Sequence, residues 1–257
     1  MGRDRKQGMS SQINPTISII IPVLHWKRPL NKKRFFMPRQ TIVETLADIK
    51  KNVQVPYEVI VVCNGQDSEL IEFVKNCPDI NKYCLNSLNV GVARSWNMGA
   101  QIAEAAVLCF LNDDVSVGPG AFESLYELLM SDTNIGQVGP VGAIWEGANH
   151  KSYVGQNELA DADAIAGFCF MLHDSIYRNL GGFDIAYTPA GLEEIDMSFA
   201  IRKHGLRCVV MPNLEIYHYH HHGVSAYSTD IKFMSKSINT EDLHQKNLGY
   251  FKKKWNI

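Results

Sequence analysis

Ala105-Ala-Val-Leu-Cys-Phe-Leu111 runs directly into Asn112-Asp113-Asp114-Val115-Ser116. An unbroken apolar run containing a β-branched and an aromatic residue reads as a strand buried on both faces. The two adjacent carboxylates then fall at the strand's carboxyl end, where open α/β sheets hold their ligands. Ionised carboxylates are costly to desolvate there without a partner, so a cation is expected beside them. Oxygen donors favour Mg²⁺ or Mn²⁺, ions that commonly bridge substrate phosphates. The plainer alternative is an Asx-type turn in which Asp113 caps a helix starting near Gly120.

Upstream of this strand the pattern alternates. Thr16-Ile-Ser-Ile-Ile-Ile-Pro-Val23 is a first strand, and Thr41–Val53 carries helical spacing through Ile42, Leu46 and Ile49. Tyr57–Cys63 is a second buried strand, and Ser68–Cys77 a second helix with Ser68 as the expected N-cap. A third helix is expected from about Gly91 to Ala105. This βαβαβ order predicts a parallel sheet with helices on both faces. The strands end in Leu24-His25-Trp26, Asn64-Gly65-Gln66-Asp67 and Asn112-Asp113-Asp114. Three such loops side by side would build one crevice. Downstream, Ile135–Ala143, Ala166–His173, Arg207–Met211 and Glu215–Tyr219 read as strands. Glu193–Lys203 and Thr240–Lys253 read as helices, the second opened by cap and dipole signals in Thr240-Glu-Asp.

Bulk properties narrow the function classes. A chain of 257 residues fits one large α/β domain, with 46% hydrophobic and 20% charged residues as in ordinary globular proteins. A formal net charge of -2 exerts no global pull toward nucleic acid or anionic lipid. No apolar run reaches bilayer-spanning length, and Met1–Ser11 has no signal-peptide core. Cys63, Cys109, Cys169 and Cys208 sit in apolar runs and no CxxC pair occurs, so a cytoplasmic location is expected.

Several constellations carry chemistry. Asn64-Gly65 offers a tight turn with an amide able to bond a base edge. In Asn89-Val-Gly-Val-Ala-Arg-Ser-Trp-Asn-Met-Gly99, Gly91 and Gly99 leave room for a closely approaching partner, while Arg94 and a helix N-terminus face any anion. The pattern is not GxGxxG, which disfavours a dehydrogenase. Gly191-Leu192-Glu193-Glu194-Ile195-Asp196 places more acid at a helix start than capping needs, and a carboxylate near a diphosphate suits a general base for an acceptor hydroxyl. In His218-Tyr-His-His-His222, period two puts His218, His220 and His222 on one face with His221 turned away. One of them could complete the coordination of a metal held by Asp114. Lys27–Arg39 holds six basic residues and no acid. It reads as a solvated loop, or as a contact for a diphosphate, an acidic acceptor, nucleic acid or a membrane surface. Tyr250–Trp255 reads as a core-packing stripe with a lysine outer face, or else as a membrane-surface helix.

These pieces, in this order, resemble the family 2 glycosyltransferases with the GT-A fold, over roughly Ile17 to Trp255. Ile21-Pro22-Val23 looks like that family's opening motif, and Val61-Val62-Cys63-Asn64-Gly65 with Asp67 like its nucleobase turn. Asn89-Val90-Gly91 through Asn97-Met98-Gly99 is similar to its helix start, and Asn112-Asp113-Asp114 to its DxD-type metal motif. Gly181-Gly182-Phe183-Asp184 followed by Glu193-Glu194-Ile195-Asp196 resembles the acceptor block, and Phe251-Lys-Lys-Lys-Trp255 a common family ending. The resemblance implies one Rossmann-like α/β domain over 1–257, mostly parallel in its central sheet and flanked by helices. A nucleotide-binding half would span 1–114, and an acceptor-binding half with the C-terminal helix 115–257.

The implied activity is sugar transfer from a UDP-, dTDP- or GDP-linked donor to a hydroxyl acceptor, with inversion by direct displacement and with Mn²⁺ or Mg²⁺. Implied donor contacts are Pro22, Val23, His25, Asn64, Asp67, Asn89, Gly91, Arg94, Asn97, Asn112 and Asp113. Asp114 would be the main metal ligand, joined by one of His218, His220 and His222. The family usually carries Glu-Asp where this chain has Glu193-Glu194, so Glu194 is the base by position, with Asp196 as its rival. The basic insertion after Leu24-His25 and Ala200 in place of a common arginine are departures. A nucleotidyltransferase would want a Gly-rich, lysine-bearing loop where Pro22-Val23-Leu24-His25 stands. A non-catalytic nucleotide-sugar binding module would not need the acids at 114, 194 and 196.

Overall fold

The computed structural model describes residues 14–26, 40–219 and 228–257. The basic run Lys27–Arg39 and the histidines His220, His221 and His222 lie outside the described residues.

The first half runs β1 (Ile17–Val23), α1 (Ile42–Asn52), β2 (Tyr57–Asn64), α2 (Ser68–Asn76), β3 (Lys82–Asn86), α3 (Val92–Gln101) and β4 (Val107–Leu111). After it come β5 (Val115–Val117), α4 (Ala121–Ser131), β6 (Ile135–Gly139), β7 (Gly142–Glu146), β8 (Asn149–Val154), β9 (Ala160–Ala162) and β10 (Ala164–Ile165). The chain then forms β11 (Cys169–His173), α5 (Asp174–Asn179), α6 (Glu193–Lys203), β12 (Arg207–Val210) and β13 (Ile216–His218). It closes with β14 (Asp230–Phe233), β15 (Lys236–Asn239) and α7 (Thr240–Trp255).

An eight-stranded sheet of order β3-β2-β1-β4-β11-β6-β12-β9 takes strands from both halves. β1, β2, β3 and β4 pair in parallel, as do β6 and β12, whereas β11 runs antiparallel to both β4 and β6. Period-two alternation along β1 divides the core. Ile17, Ile19 and Ile21 pack with Ile42, Leu46 and Ile49 of α1 and with Phe122, Leu125 and Leu129 of α4. Ile20 faces the other layer, with Trp96 of α3, Tyr177 of α5 and Met197 of α6. Every residue of β4 is buried, as the uninterrupted apolar run requires.

Boundaries shift where one residue's chemistry overrides the pattern. The cap of α2 is Asp67, whose Oδ1 accepts the Leu70 N–H at 3.1 Å, and not Ser68. The expected strand Ile135–Ala143 is two strands, β6 and β7, parted at Pro140, which has no N–H to give a ladder. α3 stops at Gln101 instead of Ala105, and α7 runs on past Lys253 to Trp255. Gly120, at φ +70°, begins α4 without a side-chain cap, so Asp113 does not serve that helix. α6 has the predicted bounds, Glu193–Lys203.

Gly99 sits where α3 crosses the sheet. A Cβ there would run into Cγ2 of Ile20 and meet Cγ2 of Val62 at 3.4 Å. Overpacking of this kind costs about 1–3 kcal/mol, against a helix-propensity gain of at most ~1 kcal/mol. Gly99→Ala is therefore expected to destabilise the protein, read as a lower urea midpoint at unchanged slope.

Candidate active site

The crevice is assembled from the carboxyl end of β4. Asp113 and Asp114 leave that strand already buried, at 5% and 0% exposure. Asp113 is fixed through its backbone, its carbonyl accepting from Thr45 Oγ1 of α1 at 3.1 Å. Immediately beyond, β5 pairs antiparallel with β13, setting Val115 opposite His218. The ladder continues one step, from Tyr219 N–H to the Asp114 carbonyl at 3.1 Å. This pairing carries His218 across more than a hundred residues of chain and leaves its Nε2 3.2 Å from Asp114 Oδ1.

The imidazole is held in place on two sides. Its ring stacks on Phe168 with centroids 4.9 Å apart and planes 10° from parallel. Asn112 Nδ2 lies 3.3 Å from Nε2 and can donate to a neutral ring nitrogen. A carboxylate oxygen and an imidazole nitrogen at this separation match neighbouring corners of an octahedral shell, which lie about 3 Å apart when each donor is ~2.1 Å from the ion. The residues thus fit a divalent cation of the Mg²⁺ or Mn²⁺ type. Such ions take one or two protein ligands and complete their shell with waters and phosphate oxygens. Among the described residues no set of three His, Cys, Asp or Glu side chains is grouped to hold a metal.

One short loop joins this corner to the acids of α6. Ala166-Gly167-Phe168 precedes β11, and the Phe168 carbonyl accepts the Asn112 N–H at 2.9 Å. A Cβ on Gly167 would stand 2.9 Å from Cγ of Glu194. Asp114, His218, Phe168, Gly167 and Glu194 therefore form an unbroken chain of neighbours.

The three α6 acids have different surroundings. Glu193 is 3% exposed and its Oε2 is a buried oxygen with no hydrogen-bond partner. Burial, and after it the Glu194 charge, pushes the Glu193 carboxyl well above the usual carboxylate range. Glu194 is also raised by burial, yet it keeps part of its surface open. Asp196 is saturated instead. Its Oδ1 accepts Tyr187 OH at 3.0 Å and Trp255 Nε1–H at 2.9 Å, and its Oδ2 accepts Lys254 Nζ at 2.8 Å. The rival base is thus built into the attachment of α7, and of the three only Glu194 combines desolvation with access.

Donor-side residues divide in the same way. Asn64 accepts the Val90 N–H at 2.8 Å and donates to Asn89 Oδ1 at 3.0 Å; Asn89 in turn accepts the Gly91 N–H and donates to the Lys232 carbonyl. Asp67 ties the Trp26 N–H at 2.8 Å to the α2 cap. Burial works against its charge, but the N–H groups of Trp26, Leu70 and Glu69 outweigh it and hold the carboxyl below its ordinary value. Pro22 is half-buried, Val23 buried and His25 exposed. Arg94 donates to Thr188 Oγ1 at 2.8 Å.

Two sequence expectations need correcting. The closely approaching partner of Gly91 is the protein's own Thr188-Pro189 segment, which a Cβ would strike, and the partner of Gly99 is β1. Both ends of the Asn97 amide go to the Gly182-Phe183 turn, through the Phe183 carbonyl and N–H and Tyr177 OH. Gly167 and Phe168 carried no local signal in the sequence, because their importance lies wholly in contacts with distant residues.

Glu193 gives a stability test. A carboxyl whose pKa is raised on folding supplies stability below its unfolded pKa and loses it as pH rises through the folded value. Glu193→Gln is expected to stabilise the protein at pH 7.5 by on the order of 1 kcal/mol or more, because a neutral amide avoids the cost of protonating or burying a carboxylate there. Urea unfolding at pH 4 should show that gain reduced or absent.

Solved structures share this fold. The crystal structure of GalNAc-T7 with UDP, GalNAc and Mn²⁺ is similar at a TM-score of 0.64 and 17% identity, over 81% of this chain and 44% of that one. The mannosyltransferase PcManGT from Pyrobaculum calidifontis, in complex with GDP-Man and Mn²⁺, is similar at 0.55 and 15%, over 79% and 56%. The chain thus spans about half the length of each, and the likeness carries the fold. No curated protein sequence matches it. The profile of Glycosyl transferase family 2, however, matches residues 30–179, from before α1 through the Asn112-Asp113-Asp114 turn to the end of α5. With more than half the sequence matched, the chain belongs to glycosyl transferase family 2.

Proposed function

We propose that the chain transfers a sugar from a nucleotide-diphosphate sugar to an acceptor hydroxyl with inversion at the anomeric carbon, Glu194 serving as the general base. The single observation carrying this reading is the continuity from Asp114 and His218, through Phe168 and Gly167, to Glu194. A cation corner and a desolvated carboxylate on one crevice wall are what displacement at a diphosphate-activated carbon needs.

In the proposed reaction the acceptor oxygen attacks the anomeric carbon while the bond from that carbon to the diphosphate breaks. The hydroxyl proton passes to a Glu194 carboxylate oxygen, and the nucleoside diphosphate leaves with the electron pair. Asp114 and His218 would hold the divalent cation, and Asp113 and Asn112 would line its loop. A bound Mn²⁺ or Mg²⁺ would neutralise charge growing on the diphosphate. Burial suits Glu194 to its task by moving its proton affinity toward working pH. Glu193, the more enclosed of the two, is raised further by burial.

The UDP and GDP-Man bound by the two similar proteins support a UDP-, GDP- or dTDP-linked donor, met by the Asn64, Asp67, Asn89 and Arg94 side of the crevice. Among the described residues no helix is long and apolar enough to cross a membrane. Six free cysteines support a reducing, cytoplasmic setting. Contact of Lys27–Arg39 with a membrane surface or an acidic acceptor belongs to the proposal.

The test is a panel of UDP-, GDP- and dTDP-linked sugars with Mn²⁺, followed by release of nucleoside diphosphate. Turnover is expected with one donor class and should fall roughly 100-fold or more in Asp114→Ala and in Glu194→Gln, while Glu194→Gln still binds the nucleoside diphosphate. Activity should decline as pH falls, with a midpoint above the usual carboxylate range, since the base works only when deprotonated. Release of pyrophosphate would instead identify a nucleotidyltransferase, and binding without turnover across the panel a sensor. A product with retained anomeric configuration would remove Glu194 from its role.

A further inference from the structure

Three features of α7 converge on the few residues that carry Glu194. Asn247 is 1% exposed, out of reach of any substrate, and its Nδ2 donates to three backbone carbonyls: Tyr187 at 2.9 Å, Ala190 at 3.0 Å and Gly191 at 2.9 Å. The turn gathered in this way ends in Gly191 at φ +103° and Leu192 at φ +77°. A leucine in the left-handed region costs roughly 1–2 kcal/mol and persists only where its surroundings impose it. Glu193 and Glu194 follow at once. On the far side of them, Asp196 is held by Trp255 Nε1–H and Lys254 Nζ. Phe251 and Trp255 stack edge-on against Phe199 of α6, with centroids 5.0 and 5.5 Å apart.

A base on a strained turn needs a splint, because reach to the acceptor proton is a matter of tenths of an ångström. We infer that α7 is that splint and that Asn247 is a positioning residue, fixing where Glu194 points by clamping the Tyr187–Gly191 carbonyls. The inference rests on the role proposed for Glu194. Asn247 differs from an ordinary helix contact in that one side chain serves three carbonyls, all from the segment leading into α6. Removing it frees those carbonyls together and leaves Leu192 without the clamp that imposes its backbone conformation.

The test combines kinetics with hydrogen exchange on the full chain, using the sugar nucleotide of the UDP-, GDP- and dTDP-linked panel that the wild type turns over fastest with Mn²⁺. In Asn247→Ala, kcat is expected to fall about 10- to 100-fold with donor KM within about twofold, the mark of a misplaced group and not of lost binding. Amides of residues 191–196 should exchange faster, while those of β1 and β4 keep their protection. Asn247→Asp, which turns an anion toward the same carbonyls, should lower kcat further. Trp255→Phe, which keeps the ring and loses the donor to Asp196, should cause a smaller fall of the same kind. Unchanged exchange at 191–196 would overturn the splint. Faster exchange with unchanged kcat, or a KM that rises with kcat intact, would overturn the positioning role. Glu194→Gln as active as the wild type, or a wild type with no turnover on any donor, would remove the parent reading while leaving the exchange result to judge the clamp.

Discussion

The hydrogen bond from the Asn112 N–H to the Phe168 carbonyl, 2.9 Å, extends the antiparallel pairing of β11 with β4 one step past the end of the strand. Much of the site hangs on that step. It draws the Ala166–Phe168 loop across the mouth of the β4 loop, so that Phe168 underlies the His218 ring while Gly167 lies against Glu194. A parallel strand in the same place would present at this edge the loop that follows it, whereas antiparallel β11 presents the loop that precedes it. The antiparallel reversal at the centre of the sheet is thus the device that brings Asp114 of the first half together with His218 and Glu194 of the second.

Rigidity around that loop comes from the core layer that holds Trp96. Behind it, Phe110 of β4 packs against Phe170 of β11 at 5.2 Å and edge-on to Phe183 at 4.9 Å. Trp96 of α3 closes the cluster against Phe170 and Phe183. These rings bury large apolar areas in fixed relative orientations, so the strand ends cannot slide without breaking several contacts together. The same cluster sets the Gly182-Phe183 turn, which Asn97 anchors to α3. Asp184 follows that turn, capping the next segment through the Ala186 N–H and accepting Lys254 and Tyr250 from α7. Burial raises the Asp184 proton affinity, but these donors together lower it, so the acid stays charged.

Local chemistry made much of this legible. The buried run before Asn112 reads as a central strand and is β4, and the acids after it fall at that strand's carboxyl end. Glu193–Lys203 was readable to the residue. Period two placed His218 on a face that proves to meet Asp114. The misreadings share one cause. Gly91 and Gly99 do mark close approach, but a sequence cannot say to what, and here the partners are Pro189 and Ile20. Asn97 was a donor contact only by the family resemblance, and its amide is bonded to Phe183 and Tyr177. The clamp by Asn247 was invisible for a related reason: its three acceptors are backbone carbonyls about sixty residues away, and carbonyls leave no trace in side-chain identity.

Three acids within one helical turn illustrate how environment, not residue type, assigns roles. All sit at the start of α6, where the helix dipole favours negative charge by about 0.3–1 kcal/mol each. That modest and shared benefit cannot explain why they diverge. Hydrogen-bond supply explains it. Asp196 receives donors from a tyrosine, a tryptophan and a lysine, and becomes part of the framework. Glu193 receives none at its inner oxygen, so burial dominates and favours the neutral acid. Glu194 lies between these extremes, desolvated enough to hold a proton more firmly than a surface carboxylate and open enough to take one from outside. Adding a strong donor beside Glu194 would lower its proton affinity and weaken it in the proposed role of base, whereas sealing it from solvent would make it a second Glu193. The sparse surroundings of that side chain, with glycine at position 167 as its near neighbour, are therefore part of the chemistry.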